Sequence, residues 1–250
     1  MKHALIVAAM LVATTTIAEA ECRYEASRSI APIDASGITA VRVDSGSGSL
    51  EVVGGSGNAI EAKGRACSSR QDDLDEIRII TRRQGSTLEI IAEYPNYRMS
   101  WGRSASLDMQ ISLPSSLDLE IDDGSGSIDV RDAGSVRIDD GSGSIRVTGA
   151  RSLWIDDGSG DIDIRDIRGP VEIRDGSGDI DIRQITGTVR IRDDGSGDID
   201  IEEVTENVFI DDDGSGGIWV ASVGGDLIVG DHGSGGFSFD RISGAVSVRD

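Results

Sequence analysis

The amino-acid sequence predicts an all-β protein, a single-stranded parallel β-solenoid of 17–19 residues per coil. Three observations carry that expectation. The tripeptide Gly-Ser-Gly recurs with its first glycine at Gly124, Gly141, Gly158, Gly176, Gly195, Gly214 and Gly233, spaced 17, 17, 18, 19, 19 and 19 residues apart. Apolar residues fall at fixed offsets from each copy, as in Ile180, Ile182, Ile185, Val189 and Ile191, or Ile199, Ile201, Val204, Val208 and Ile210. The segments between them leave no room for a helical crossover. A fixed period near 20 is the signature of stacked repeats. Apolar residues two apart are the inward positions of a strand.

Residues 1–20 read as an export signal. Lys2 precedes an apolar run over 4–13, too short to span a bilayer, and 18–20 (AEA) forms an A-x-A cleavage site. Cys22 is not preceded by the small apolar residues that lipidation needs. No later segment is long and apolar enough to span as a helix, so no integral membrane segment is expected after cleavage. The mature chain then holds two cysteines, Cys22 and Cys67. An exported pair suggests one disulfide, with two buried free thiols as the alternative.

Residues 21–121 are less regular and are expected to form N-terminal coils and a cap, continuous with the regular array at 122–250. A first Gly-Ser-Gly copy at Gly46 lies 78 residues before Gly124, or four more periods of about 19.5. Counted so, some 11 coils would make a rod about 50 Å long at about 4.8 Å per coil. Within this region 77–80 and 88–91 alternate as strands around a hairpin turn at Gln84-Gly85-Ser86. Asp72–Ile77 suits a short helical turn, and 98–104 suits an exposed loop.

From Gly124 onward each coil contains two short strands joined by two corners. Glycine serves a corner because it adopts positive φ without a Cβ clash and lets backbones approach. One extra residue enters before the second strand from Gly158 onward, and another after it in three later copies. Insertions are therefore expected at corners and never inside a strand. Ile182 and Ile201 should point inward, with Asp181 and Asp200 outward. Right-handed coiling is expected from the chirality of β crossovers.

The run over 113–130 (LPSSLDLEIDDGSGSIDV), preceded by a GSTLEI strand and followed by GSGDIDI copies, resembles the bacterial β-strand-repeat "putative adhesin" family, a domain of unknown function. The resemblance covers roughly residues 38–250. It implies a parallel β-solenoid and an envelope location, and brings no catalytic residues.

Charge narrows the function further. The chain has 24 basic and 45 acidic residues, a net charge of −21. Such a polyanion excludes nucleic acid as an ordinary partner and disfavours anionic lipid. Acidic residues stack in register. Asp123, Asp140, Asp157, Asp175, Asp194 and Asp213 each precede a Gly-Ser-Gly, with His232 next in line, and Asp129, Arg146, Asp163, Asp181 and Asp200 form a second column that arginine interrupts. Carboxylates about 5 Å apart repel, by about 3–4 kcal/mol at an effective dielectric of 20. The preferred reading is a solvated acidic face, with aspartates accepting corner N–H groups and Arg165, Arg174, Arg183, Arg190 and Arg192 bridging neighbouring coils. The alternative is Ca²⁺ at the six aspartates that precede the glycines. DGSGDIDI partly matches the calcium nonapeptide, but its acids sit one and three residues after the second glycine rather than two.

Enzymatic readings are weaker. His232 is the single histidine after cleavage, so no Ser-His-Asp triad or His-rich metal set can assemble. A polysaccharide-active β-helix could work with paired acids, but it needs long loops to wall a cleft. Trp154 and Phe209 in the second-strand column, and Trp219 in the first, face outward on different sides. The sequence thus points to a non-catalytic exported module, structural or adhesive, in the periplasm or at the cell surface. It needs no cofactor, and its partner is an envelope protein or a polysaccharide.

Overall fold

The computed structural model describes residues 22–95 and 103–249. The proposed signal at 1–20 and most of the loop at 98–104 lie outside the described residues. The chain winds as a parallel β-solenoid of about seven turns, about 19 residues each. Strands that follow a Gly-Ser-Gly corner, such as Ile162–Arg165, Ile180–Ile185 and Ile199–Val204, stack into one sheet of 12 strands. Strands that precede one, such as Val171–Asp175 and Val189–Asp194, stack into a second sheet of 11. We call these the front and back sheets.

The core is the space between the sheets. Each strand alternates buried and exposed residues, so one face of every strand reads Ile or Val. Ile182 and Ile201 are fully buried and in register, while Asp181 and Asp200 face out. Like residues stack on like, so an isolated coil would leave its apolar edges wet whereas neighbouring coils bury them.

The N-terminal region is not a run of additional coils. Gly46 lies directly against Gly124, whose N–H donates to the Gly46 carbonyl at 3.1 Å. Strands Ala40–Asp44 and Leu50–Gly55 pair with Asp118–Asp123 and Ile128–Arg131. The four-period spacing is therefore a coincidence of length, and the 11-coil count is corrected. The chain between these neighbours makes one excursion to the N-terminal end. There Thr87–Glu93 and Ala105–Pro114 add a parallel layer. Beyond it, Ala59–Ser68, Tyr24–Ser29 and Arg78–Gln84 pair antiparallel, the last through the hairpin at Gly85. The helical turn is Gln71–Leu74, with Leu74 buried. With 11 strands stacked in the back sheet, the rod still reaches about 50 Å at about 4.8 Å spacing. Cys22 and Cys67 are joined by a disulfide, with Cα atoms 5.4 Å apart, which ties the first described residues to this end.

Two local features refine the coil. The second corner is made by a residue in the left-handed region eight positions after the first glycine: Asp132, Gly149, Asp166, Gln184, Glu203, Ser222 and Arg241. A non-glycine residue there costs about 1 kcal/mol. Neighbouring coils over-determine the conformation through bonds such as Thr186 N–H to Ile167 O and Thr205 N–H to Ile185 O. The second correction concerns insertions. The pairing of Val171–Asp175 with Val189–Asp194 shifts register between Ile173 and Arg174, so Arg192 is absorbed as a bulge within a strand. One strand face there is already solvated, so an extra outward arginine disturbs no core position.

Candidate functional site

The two aspartate columns have opposite environments. The strand preceding each Gly-Ser-Gly alternates in and out, as in Leu119, Ile121 and Asp123 inward with Glu120 and Asp122 outward. The final aspartate therefore falls on the inward phase. Asp123, Asp140, Asp157, Asp175, Asp194 and Asp213 are each 1–4% exposed. The expected solvated face is thus wrong for these six. Strand phase carries them into the rod edge beside the glycine corner.

What makes this tolerable is the corner backbone. The N–H of Ser142 donates to Asp140 at 3.2 Å, that of Ser159 to Asp157 at 3.3 Å and that of Ser177 to Asp175 at 3.2 Å. The corner itself packs so closely that a Cβ on Gly160 would overlap the Gly143 carbonyl of the coil below. Larger residues there would separate the coils. One carboxyl oxygen of Asp123, Asp140, Asp157 and Asp175, and both of Asp194 and Asp213, make no hydrogen bond within the protein.

Burial raises all six carboxyls above the ordinary range. Asp140 and Asp194 are pushed up to about 7, and Asp157 and Asp175 to about 6. Desolvation is the largest cause, and neighbouring aspartates add to it: Asp123 and Asp157 act on Asp140, and Asp175 and Asp213 on Asp194. Near neutrality Asp140, Asp157, Asp175 and Asp194 are therefore partly protonated instead of fully charged.

The column has different ends. At the N-terminal end Ser45 occupies the same position, is buried, and donates its hydroxyl to Asp123 at 2.8 Å. Tyr94 closes that end, its hydroxyl donating toward the carbonyl oxygens of Ser45 at 2.7 Å and Ser47 at 2.6 Å. At the other end His232 follows Asp213 and holds its carboxyl down, against the larger effect of burial. Ser45 precedes Gly46 and could have been placed in this column from the sequence, had the Gly46 coil been put next to Gly124.

In the outer column Asp163 behaves as expected of a solvated face, whereas Asp200 is raised, first by burial and then by Glu202 and Asp181. Asp163 accepts from Arg165 at 2.8 Å and from Arg146 of the coil below at 3.2 Å. These contacts hold its pKa below the ordinary range despite partial burial. Arg183 pairs with Asp181 of its own coil at 2.9 Å. Arg192 pairs with Glu172, and Arg190 with Asp211, between coils. Each of these arginine contacts goes to an outward acid. A third set, Asp161, Asp179 and Asp198, links coils directly, each carboxylate accepting the N–H one coil on at 3.3, 2.9 and 2.7 Å.

Among the described residues no three His, Cys, Asp or Glu side chains are grouped to hold a metal ion. No helix among them is long and apolar enough to cross a membrane. Trp154 and Phe209 face out from the back sheet and Trp219 from the front sheet, as alternation requires. The Arg137 guanidinium lies 3.3 Å from the centre of the Trp154 ring, and Arg190 lies over Phe209. Beside Trp154 an open groove of about 460 Å³ is lined by Ser135, Ser152, Glu120 and Glu172.

A two-sheet solenoid with short repeated corners defines a class of β-repeat rods. The Toastrack DUF4097 model matches residues 38–222, and the chain belongs to that family. No curated protein matches it. Among solved structures it is similar to a "putative lipid binding protein" from Parabacteroides distasonis, with 18% identity and a TM-score of 0.53 over 91% of this chain and 98% of that one. A "putative adhesin" from Bacteroides fragilis gives 10% identity and a TM-score of 0.48, covering 90% and 97%. At 18% identity the first of these likenesses is one of fold.

Proposed function

We propose that the protein is an exported, non-catalytic interaction module of the bacterial envelope, a stiff acidic rod that presents its outer sheet faces to an envelope protein or polysaccharide. The observation that carries this reading is the shortness of the corners. Within the regular coils each turn closes through Gly-Ser-Gly and a few residues on the other side, so no loop rises to wall a cleft over either sheet. A sheet face binds by area and by a few anchors, and the groove beside Trp154 offers such an anchor on the back sheet. The leader-like residues 1–20 support export, and the charge of −21 fits a solvated rod outside the cytoplasm.

The test is fractionation of expressing cells, followed by binding of the purified protein to isolated envelope and to its purified polysaccharide. Protein in the exported fraction that binds either, and loses most of that binding on Trp154→Ala with its melting temperature unchanged, supports the reading. Cytoplasmic retention, or binding indifferent to Trp154, overturns it.

A further inference from the structure

The two ends of the rod are finished differently. At the N-terminal end the stack is closed by the antiparallel strands Tyr24–Ser29 and Arg78–Gln84 and by the helix Gln71–Leu74. Arg28 donates to the carbonyls of Ile77 and Leu74, both at 2.6 Å, pinning that closure. Ile77 beneath it is fully buried. The edge there carries Arg78, Arg82 and Arg83, the kind of charge that blocks further strand addition.

The C-terminal end has no such closure among the described residues. The last coil places Phe237, Phe239, Ile242, Val246 and Val248 in register with Ile218, Val220, Val223, Leu227 and Val229 of the coil below. Those five partners are 0–2% exposed. In the last coil Phe239 is 48% exposed, Val246 36% and Val248 38%. Strands Phe237–Ile242 and Val246–Val248 end their sheets, each paired on one side.

The same end sheds its charge column by column. Asp161, Asp179 and Asp198 give way to Gly217 and Gly236, and Asp163, Asp181 and Asp200 to Trp219 and Ser238. The inner aspartates give way to His232. Residues 195–213 hold eight acids and no base, 214–232 two acids and no base, and 233–250 two Asp against two Arg. The tip is thus neutral on a chain of −21.

We propose that this tip is a dimerisation surface and that its occupant is the same tip of a second copy, related by a two-fold axis across the rod. A two-fold reverses strand direction, so the edge strands meet antiparallel and satisfy each other's N–H and C=O groups. Phe237 and Phe239, 5.6 Å apart, pack against their symmetry mates. Electrostatics selects this geometry. Tip to tip, the two most acidic coils stand about 24 Å apart at about 4.8 Å per coil, well beyond the Debye length of about 8 Å. Side by side, the acidic faces would lie in contact. Head to tail is closed off by the N-terminal cap, so the assembly stops at two. One coil per copy is a smaller contact than the roughly 800 Å² per partner of a standard interface, so a weak, concentration-dependent dimer is expected.

Sedimentation velocity of the purified protein from 1 to 500 μM is the test. The expected result is a monomer–dimer equilibrium that tightens as salt rises from 0.05 to 0.5 M. Phe239→Lys with Val248→Lys should weaken it more than tenfold, with circular dichroism unchanged because both residues are exposed. Independently of any variant, amides of 237–242 and 246–248 should gain exchange protection as concentration rises. A monomer throughout overturns the proposal and leaves the tip to a different chain. A dimer indifferent to the double variant, an unprotected tip in the dimer, a ladder of larger species, or a dimer weakened by Arg78→Glu with Arg82→Glu would each overturn it as well.

Discussion

The inner and outer aspartate columns are built from the same residue six positions apart, yet they solve opposite problems. Asp163 faces water, holds two arginines and has its pKa lowered. Asp140 faces the interior, takes backbone N–H groups, and is raised to about 7 by burial and by Asp123 and Asp157. The difference shows that stacking in register does not itself decide whether a carboxylate ladder is a cost. Phase along the strand and a bonded arginine decide it together, since outward Asp200 is raised where outward Asp163 is lowered.

The strongest way to break the comparison is to place a carboxylate inward at a strand position with no corner N–H beside it. Ile182→Asp should unfold the rod or cost more than about 4 kcal/mol, read by chemical denaturation, because it buries an unpaired charge among isoleucines. If it were tolerated like Asp175, the corner backbone would not be what makes the inner column possible.

Next in size is the dependence on pH. The inner aspartates have folded pKa values above their unfolded ones, so the native rod binds more protons than the unfolded chain between about pH 4 and pH 7. Their contribution is complete below the unfolded pKa and is lost as pH rises through 6–7. Each proton taken up on folding is worth about 1.4 kcal/mol per pH unit. The melting temperature should therefore rise from pH 8 to pH 5. The outer Asp163 has the reverse sign: its contribution is present above the unfolded pKa and is lost only as pH falls below about 4. A melting temperature flat from pH 8 to 5 would mean that the inner column is not strained by charge.

Paired substitutions sharpen the contrast at single sites. Asp140→Asn should stabilise the rod at pH 8 by about 1–3 kcal/mol and flatten its pH profile, since it removes a buried charge. Asp163→Asn should instead destabilise by no more than about 1 kcal/mol, as expected for exposed ion pairs. Urea unfolding of both at pH 8 and pH 5 checks the signs.

The smallest expected effect is that of calcium. At equal ionic strength Ca²⁺ should raise the melting temperature no more than Mg²⁺, and chelator should leave it unchanged. A calcium-specific rise reversed by chelator, and lost with Asp157→Asn and Asp194→Asn, would make the inner column a metal ladder.

The coil was legible in the sequence because its causes are local. Ile180, Ile182 and Ile185 sit at offsets that only inward strand positions explain, and the outward phase of Asp181 and Trp219 follows from the same alternation. The left-handed corner was not legible. Outside Gly149 its residue varies, from Asp166 to Gln184 to Arg241, because hydrogen bonds between coils hold the conformation without a glycine. The bulge at Arg192 was hidden for a similar reason: a gain in spacing does not say which residue leaves the register.

By itself the amino-acid order determined the repeat, the two strands per coil and the inward isoleucines, since each rests on periods of two and of about 19 along the chain. Only the tertiary structure decided which coils are neighbours. Gly46 stacks on Gly124 because an excursion of antiparallel strands leaves the rod and returns, and spacing along a chain does not measure adjacency in space. It also decided that Asp123 to Asp213 lie inside. Their burial comes with the glycine corner of the next coil, whose N–H donates to the backbone carbonyl of each from Asp123 to Asp194 across 18 to 20 residues, a contact that composition cannot register.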